Sequence, residues 1–199
     1  MFEKKYNIPV VCDAYIDLYN ACNIGCKHCK FERVRCERII KENEIDYGIY
    51  NSKKILICYS VDPYPLGFED EKRVVKVIGE LHKRNNTIVF LTRRAECLMQ
   101  DLNIFSTNDW VGVSISEACE QNSEIIDIKQ MYRVAKNKGV NTWMSLEPIR
   151  NLEFAEYIIK EFINLVDFIR VGKDDLNVCD WNSIRDKLKK YECEKVFLK

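Results

Sequence analysis

The stretch KKILICYSVDPYPLGFEDEKRVVKVIGELHKRNNTIVFLT, residues 53–92, decides the fold. It opens on a short β-rich run, KKILICYS (53–60), and breaks at the turn Asp62-Pro63-Tyr64-Pro65. It then enters EDEKRVVKVIGELHKRN, where Val74, Val75, Ile78 and Leu81 recur at helical spacing. TIVFLT (87–92) restores the β-rich pattern. A strand that returns through a helix lies parallel to the first, with a right-handed crossover.

The same unit repeats outward in both directions. Upstream, VVCDAYIDLY (10–19) leads through a cysteine-rich loop into a helical stretch from about Phe31 to Asn43. Downstream come a short helix around AECLMQDL, a strand WVGVSIS (110–116), and the helix SEIIDIKQMYRVAKNKG, stopped by Gly139. NTWMSLEPI (141–149) and VDFIRVG (166–172) are two further strands, separated by a helix through FAEYIIKEFINL. DWNSIRDKLKKY is a last helix starting at an Asp or Asn cap. Six strands, each followed by a helix, predict an α/β fold with a parallel sheet, either open and doubly wound or most of a barrel. In both, functional groups gather on the loops after the C-terminal ends of the strands. No linker, low-complexity stretch or repeat divides the 199 residues, so residues 1–199 read as a single domain.

Composition narrows the function classes. Lys+Arg and Asp+Glu both total 31, so the formal net charge is zero and no whole-protein basic field exists for nucleic acid. No apolar run approaches the roughly 18–20 residues of a membrane span. The first residues, MFEKKYNIPVV, lack the apolar segment of a secretory signal, so the expected location is the cytoplasm. Ten cysteines in such a chain suggest metal ligands and small buried apolar residues rather than disulfides. Cys12 and Cys58, inside apolar runs, read as the buried kind.

CNIGCKHCK, residues 22–30, is different: Cys22, Cys26 and Cys29 stand at Cys-x3-Cys-x2-Cys spacing directly after the first strand. Structural zinc usually takes four protein ligands, commonly in two separated pairs. A 4Fe–4S cluster normally takes four thiolates, so three would leave one iron open for a substrate or cofactor.

At this point the chain resembles the radical S-adenosylmethionine (SAM) superfamily. YIDLYNACNIGCKHC is similar to that family's cluster loop, and the six units match its partial (β/α)6 TIM-like barrel core. The resemblance implies that Cys22, Cys26 and Cys29 ligate an oxygen-sensitive 4Fe–4S cluster while the SAM amine and carboxylate chelate the fourth iron. Reduction then splits SAM into methionine and a 5′-deoxyadenosyl radical, which abstracts hydrogen from the substrate. The residue before the third cysteine is usually aromatic and packs near the adenine; here it is His28, whose flat ring can stack similarly.

ICYSVDPYP, FLTRR, GVSIS and MSLEPI look like strand ends of the spore photoproduct lyase-like branch and related phage and bacterial proteins. That likeness implies Ser60, with Asp62 nearby, at the SAM amino acid, and Arg93, where a lysine is usual, at the SAM carboxylate. It further implies Ser114 or Ser116 at the ribose, and Glu147 in the barrel mouth as both cofactor contact and candidate catalytic group. Read as residues alone, Ser60 and Ser116 would equally suit helix caps, Arg93 and Arg94 a solvated pair, and Lys173 a plain loop lysine.

The substrate is not named by fold and cofactor. The basic segment KHCKFERVRCERIIK suits a solvated helix face beside an anionic cluster and its flavodoxin or ferredoxin-type electron donor; a nucleic-acid patch for lesion repair or base modification is the alternative. Cys36, Cys97, Cys119, Cys179 and Cys193 form no second compact set, so one cluster is expected. An iron–sulfur electron-transfer or sensor protein, or a small zinc module, are the readings of another class. The serine, arginine and glutamate positions argue against the first and the size of the scaffold against the second.

Overall fold

A computed structural model describes residues 10–20, 22–26, 44–67, 72–117, 123–173 and 179–199. The strands are β1 (Ala14–Ile16), β2 (Lys54–Ile57), β3 (Thr87–Thr92), β4 (Trp110–Ile115), β5 (Asn141–Ile149), β6 (Phe168–Lys173) and β7 (Val196–Leu198). The α-helices among the described residues are α1 (Arg73–His82), α2 (Ala95–Asp101), α3 (Ile125–Asn137), α4 (Leu152–Phe162) and α5 (Trp181–Leu188). The helix expected near 31–43 lies outside the described residues.

All seven strands form one sheet in chain order, and every neighbouring pair is parallel. Right-handed crossovers that always advance one strand in the same direction place their helices on one face. The packing agrees. Ile57, Phe90, Val113, Leu146 and Val171 share one core cluster with Val77 of α1, Leu98 of α2, Met131 of α3 and Ile158 of α4. A smaller cluster of Val10, Val89, Trp143 and Phe168 occupies the opposite face and includes no residue of a described helix. The doubly wound alternative, which needs a reversal of strand order and helices on both faces, does not fit the described elements.

Three local expectations change. The buried stripe of α1 is Val74, Val77, Ile78 and Leu81, with Val75 only half-buried. Spacing of i, i+3, i+4 and i+7 keeps one helix face on the sheet, and Val75 points about 100° away from Val74. The first strand is ladder-paired only over Ala14–Ile16, because its partner β2 begins at Lys54. The seventh strand was not expected. It comes from KVFLK after the last helix, where Val196 and Leu198 are buried and pair with Ile169 and Val171 of β6.

Other signals act as read. Gly139, at φ +75°, follows α3 and donates its N–H to Lys136. Asp180 caps α5 by accepting from Ser183 N–H. At the N-terminal edge of the sheet, fully buried Asp109 accepts from Ile88 N–H (2.7 Å), Ser106 N–H (2.7 Å), Ser106 Oγ (2.9 Å) and His82 Nε2 (2.9 Å). These bonds tie the loops at that edge to β3. No helix among the described residues is long and apolar enough to cross a membrane.

Candidate functional site

Cys22 and Cys26 sit on the loop that follows β1, at the C-terminal edge of the sheet, and both are half-buried. None of the described cysteines, these two included, is in a disulfide. The loop is anchored by its neighbours. Ile24 is buried, and the Asn23 amide both accepts from Leu66 N–H (2.7 Å) and donates to Leu66 O (2.8 Å). Gly25 turns the chain at φ +79° with nothing near its missing side chain. Asp17, one residue past β1, accepts from Ser60 N–H at 3.0 Å and binds this loop to the one after β2. The third cysteine, Cys29, and His28 lie outside the described residues, as does the basic segment after them. Among the described residues no group of three or more His, Cys, Asp or Glu is arranged to hold a metal. Two thiols on an anchored loop, outside any disulfide, fit two of three cluster ligands.

Cys58 lies just past β2 rather than within it, buried, at φ +61°, with its N–H on Ile16 O (2.8 Å). That left-handed residue switches the alternation of side chains. Cys58 turns into the helix-side core, while Tyr59 comes to Tyr15 of β1, with ring centroids 5.2 Å apart. Burial pushes the Cys58 thiol well above its ordinary value and keeps it neutral; nearby Asp17, Asp62 and Cys22 act in the same direction.

Asp62 is committed to the backbone around it. It accepts from Tyr64 N–H (2.9 Å), Thr92 Oγ1 (2.8 Å) and Arg93 N–H (2.8 Å), clamping the loop after β2 onto the end of β3. Burial raises its carboxyl above the usual range although these donors and the Arg93 charge oppose it. Arg93 is 8% exposed, and Arg94 pairs with Glu96 at 2.9 Å, so they are not a solvated surface pair. Arg93 follows Leu91 by two residues, and Leu91 packs on the face away from the helices.

The two serines of β4 differ. Ser114 lies on the helix-free face and keeps exposed surface. Ser116 is fully buried and donates to Pro148 O at 2.8 Å. Neither Ser60 nor Ser116 caps a described helix, because α1 begins after Lys72 and α3 after Glu124.

On β5 the alternation brings Trp143, Ser145 and Glu147 to the helix-free face in ascending order. Trp143 forms the floor. Its indole crosses β4 over Gly112, where a Cβ would lie 2.5 Å from Nε1, and donates to Phe90 O at 3.0 Å. Above it, Glu147 follows the same face, and its side chain is 21% exposed. The partner that a carboxylate between Leu146 and Pro148 demands is Lys199 Nζ at 2.8 Å, with Arg170 at 3.7 Å. Its carboxylate lies on the backbone of Gly172, so closely that a Cβ there would be 2.5–2.9 Å away. Lys173 is exposed at the end of β6.

Sequence reading missed Ser145, Arg170, Gly172 and Lys199. An arginine between Ile169 and Val171 in a strand was the available signal, because period-2 alternation puts it opposite the helix-packed residues. Lys199 needed β7 to be recognised first. The face thus has an aromatic floor, with a carboxylate and two cations at the β5–β7 side, and the loop of Cys22 and Cys26 leaves the same C-terminal edge of the sheet after β1. No protein-family model matches the chain, and no characterised protein matches it.

Proposed function

We propose that the chain is a radical SAM enzyme in which Cys22, Cys26 and Cys29 hold a 4Fe–4S cluster and the helix-free face of the sheet binds SAM. In this reading the in-order parallel sheet curves as a partial barrel, with Trp143 and Phe168 closing it from below. The observation that carries the reading is the anchored loop: Asn23, Ile24 and Asp17 hold Cys22 and Cys26 at the C-terminal edge, half-buried and not in disulfides.

Bound together, the cluster and SAM would supply reductive C–S cleavage and hydrogen-atom abstraction; the chain's own residues hold, orient and screen them. Arg93, backed by Asp62, provides a buried cation for a carboxylate. Ser114 offers a hydroxyl toward a ribose, Ser60 one toward the amino-acid end, and His28 a flat ring over the adenine. Glu147 has a fixed orientation from Lys199 and Gly172, which suits hydrogen bonding to a cofactor hydroxyl or amine. The floor of Val10, Val89, Trp143 and Phe168 excludes water from below and strengthens each polar contact above it. The electron comes from a flavodoxin or ferredoxin-type donor at the cysteine loop.

The test is anaerobic reconstitution with iron and sulfide, then dithionite reduction with SAM and chromatography for 5′-deoxyadenosine. Production that is lost in Cys22→Ala and Cys26→Ala is the expected result. Tight zinc binding with no cluster formed would overturn the reading.

A further inference from the structure

The loops after β1 and β2 leave the sheet side by side, and side chains take over where the backbone ladder stops. The ladder closes with Cys58 N–H on Ile16 O at 2.8 Å. Cys58 then turns left-handed at φ +61°, which takes the residues after it out of strand register. Ser60 N–H, two residues further on, is met instead by Asp17 Oδ1 at 3.0 Å. Asp17 is half-buried, and its carboxylate makes this one hydrogen bond among the described residues. The same two loops meet again at Asn23, whose amide holds Leu66 by two bonds. Beyond Ser60, Asp62 holds Thr92 Oγ1 and Arg93 N–H. A line of side-chain bonds therefore runs from the cysteine loop through Ser60 to Arg93, and Asp17 is its first link. One half-buried bond adds little to a chain with a continuous core, so its effect is local to these loops.

We propose that Asp17 is a positioning residue: by accepting from Ser60 N–H it holds Cys22 and Cys26 in register with the loop that carries Ser60 and Asp62. This rests on the reading of Cys22 and Cys26 as cluster ligands and of Ser60 as a SAM contact. It adds to that reading the element that couples the two halves of the site. A cluster and a SAM amino-acid group that share one iron must meet at one point, and a misplacement of about 1 Å there is costly. Neither loop sets that spacing alone, because β1 and β2 have ended before the loops begin. The bond needs an acceptor and not a charge, since the donor is a backbone N–H and Asp17 pairs with no cation among the described residues. An amide oxygen at the same place would serve as well.

The first arm of the test uses the purified full chain without iron, in reducing buffer, so that it does not depend on cluster chemistry. Iodoacetamide labels the thiols, and peptide mass spectrometry reads each cysteine against exposed Cys193. Asp17→Ala is expected to speed labelling of Cys22 and Cys26 about two- to tenfold, the equilibrium factor of one ordinary hydrogen bond. Asp17→Asn, which keeps the acceptor, restores the wild-type rates. Cys97, buried in the core, stays protected in all three proteins. Unchanged labelling in Asp17→Ala would overturn the proposal, as would an equal rise at Cys97, which reports general loosening. Acceleration in Asp17→Asn equal to that in Asp17→Ala would overturn the acceptor role. The second arm follows the electron paramagnetic resonance signal of the reduced, reconstituted chain as SAM is added. Half-saturation in Asp17→Ala should need about two- to tenfold more SAM, and Asp17→Asn should match the wild type. An unshifted titration in Asp17→Ala would overturn the coupling. If the labelling result holds and the wild-type signal does not respond to SAM, the SAM reading fails and the positioning of the cysteine loop stands.

Discussion

Gly112 is where β4 lets the Trp143 indole pass. A Cβ at this position would lie 2.5 Å from Trp143 Nε1, 2.7 Å from Cδ1 and 2.7 Å from the Trp143 carbonyl oxygen. Gly112→Ala therefore either pushes the indole off Phe90 O or separates β4 from β5, whose backbones are paired from Trp110↔Asn141 to Ile115↔Leu146. Overpacking costs about 1–3 kcal/mol. A stranded buried acceptor adds about 1–3 kcal/mol, giving a total of about 2–6 kcal/mol. That is a large part of a typical stability of roughly 5–15 kcal/mol. At about 2–4 °C per kcal/mol for a domain of this size, Tm falls by about 4–24 °C. Thermal unfolding by far-UV circular dichroism measures the drop, and the near-UV band reports the indole. Gly172→Ala is the internal comparison. There the atoms nearest the added methyl belong to the tip of the Glu147 side chain, which can swing away at the cost of its half-exposed bond to Lys199. Its Tm should stay within about 2 °C, because no buried bond or backbone contact is broken. A Gly112→Ala protein with unchanged Tm and near-UV signal would refute the close-approach argument. Equal losses in both variants would refute the distinction between floor and mouth.

Asp109→Asn should lower stability by about 2–4 kcal/mol, because an amide presents donors of its own to a site built from four donors; urea unfolding measures it. Asn23→Ala removes both bonds to Leu66 and should reduce the iron retained per chain after reconstitution while Tm moves little, since only a loop is released. For Asp167, burial alone would raise the carboxyl, but Thr142 N–H, Thr142 Oγ1 and Lys136 outweigh it and hold it below the usual range. A depressed folded-state value stabilises above the unfolded value, about 3.9, and the gain disappears as pH falls through the folded value. Asp167→Asn should therefore flatten the acid limb of stability below about pH 4, as read by Tm against pH. Cys58→Ser exchanges a buried neutral thiol for a hydroxyl and should destabilise by about 1–3 kcal/mol, measured by the same unfolding assay.

What could be read from the chain, and what could not, follows from the range of the interactions. The strands from 54 to 173 and the helices between them carry strong local periodicity, because each must present an apolar face to one shared core. The triplet of cysteines was legible for the same reason, being a local spacing. The mouth opposite the helices is a different kind of object. Glu147 and Arg170 come from two strands and Lys199 directly follows a third; they span 52 positions between first and last, and only strand register brings them together. Register also explains why Glu147 was noticed and Arg170 was not. A carboxylate beside Pro148 at a strand end is conspicuous by itself, whereas Arg170 becomes informative only when Ser145 is known to lie level with it. Gly172 shows the limit most sharply, since its meaning lies wholly in the carboxylate that occupies the place of its missing side chain. The face that carries the proposed chemistry was thus the hardest to read, because helix packing repeats its imprint every three to four residues, whereas a face built from strand ends leaves only single polar residues in short period-2 runs, such as Arg170 between Ile169 and Val171.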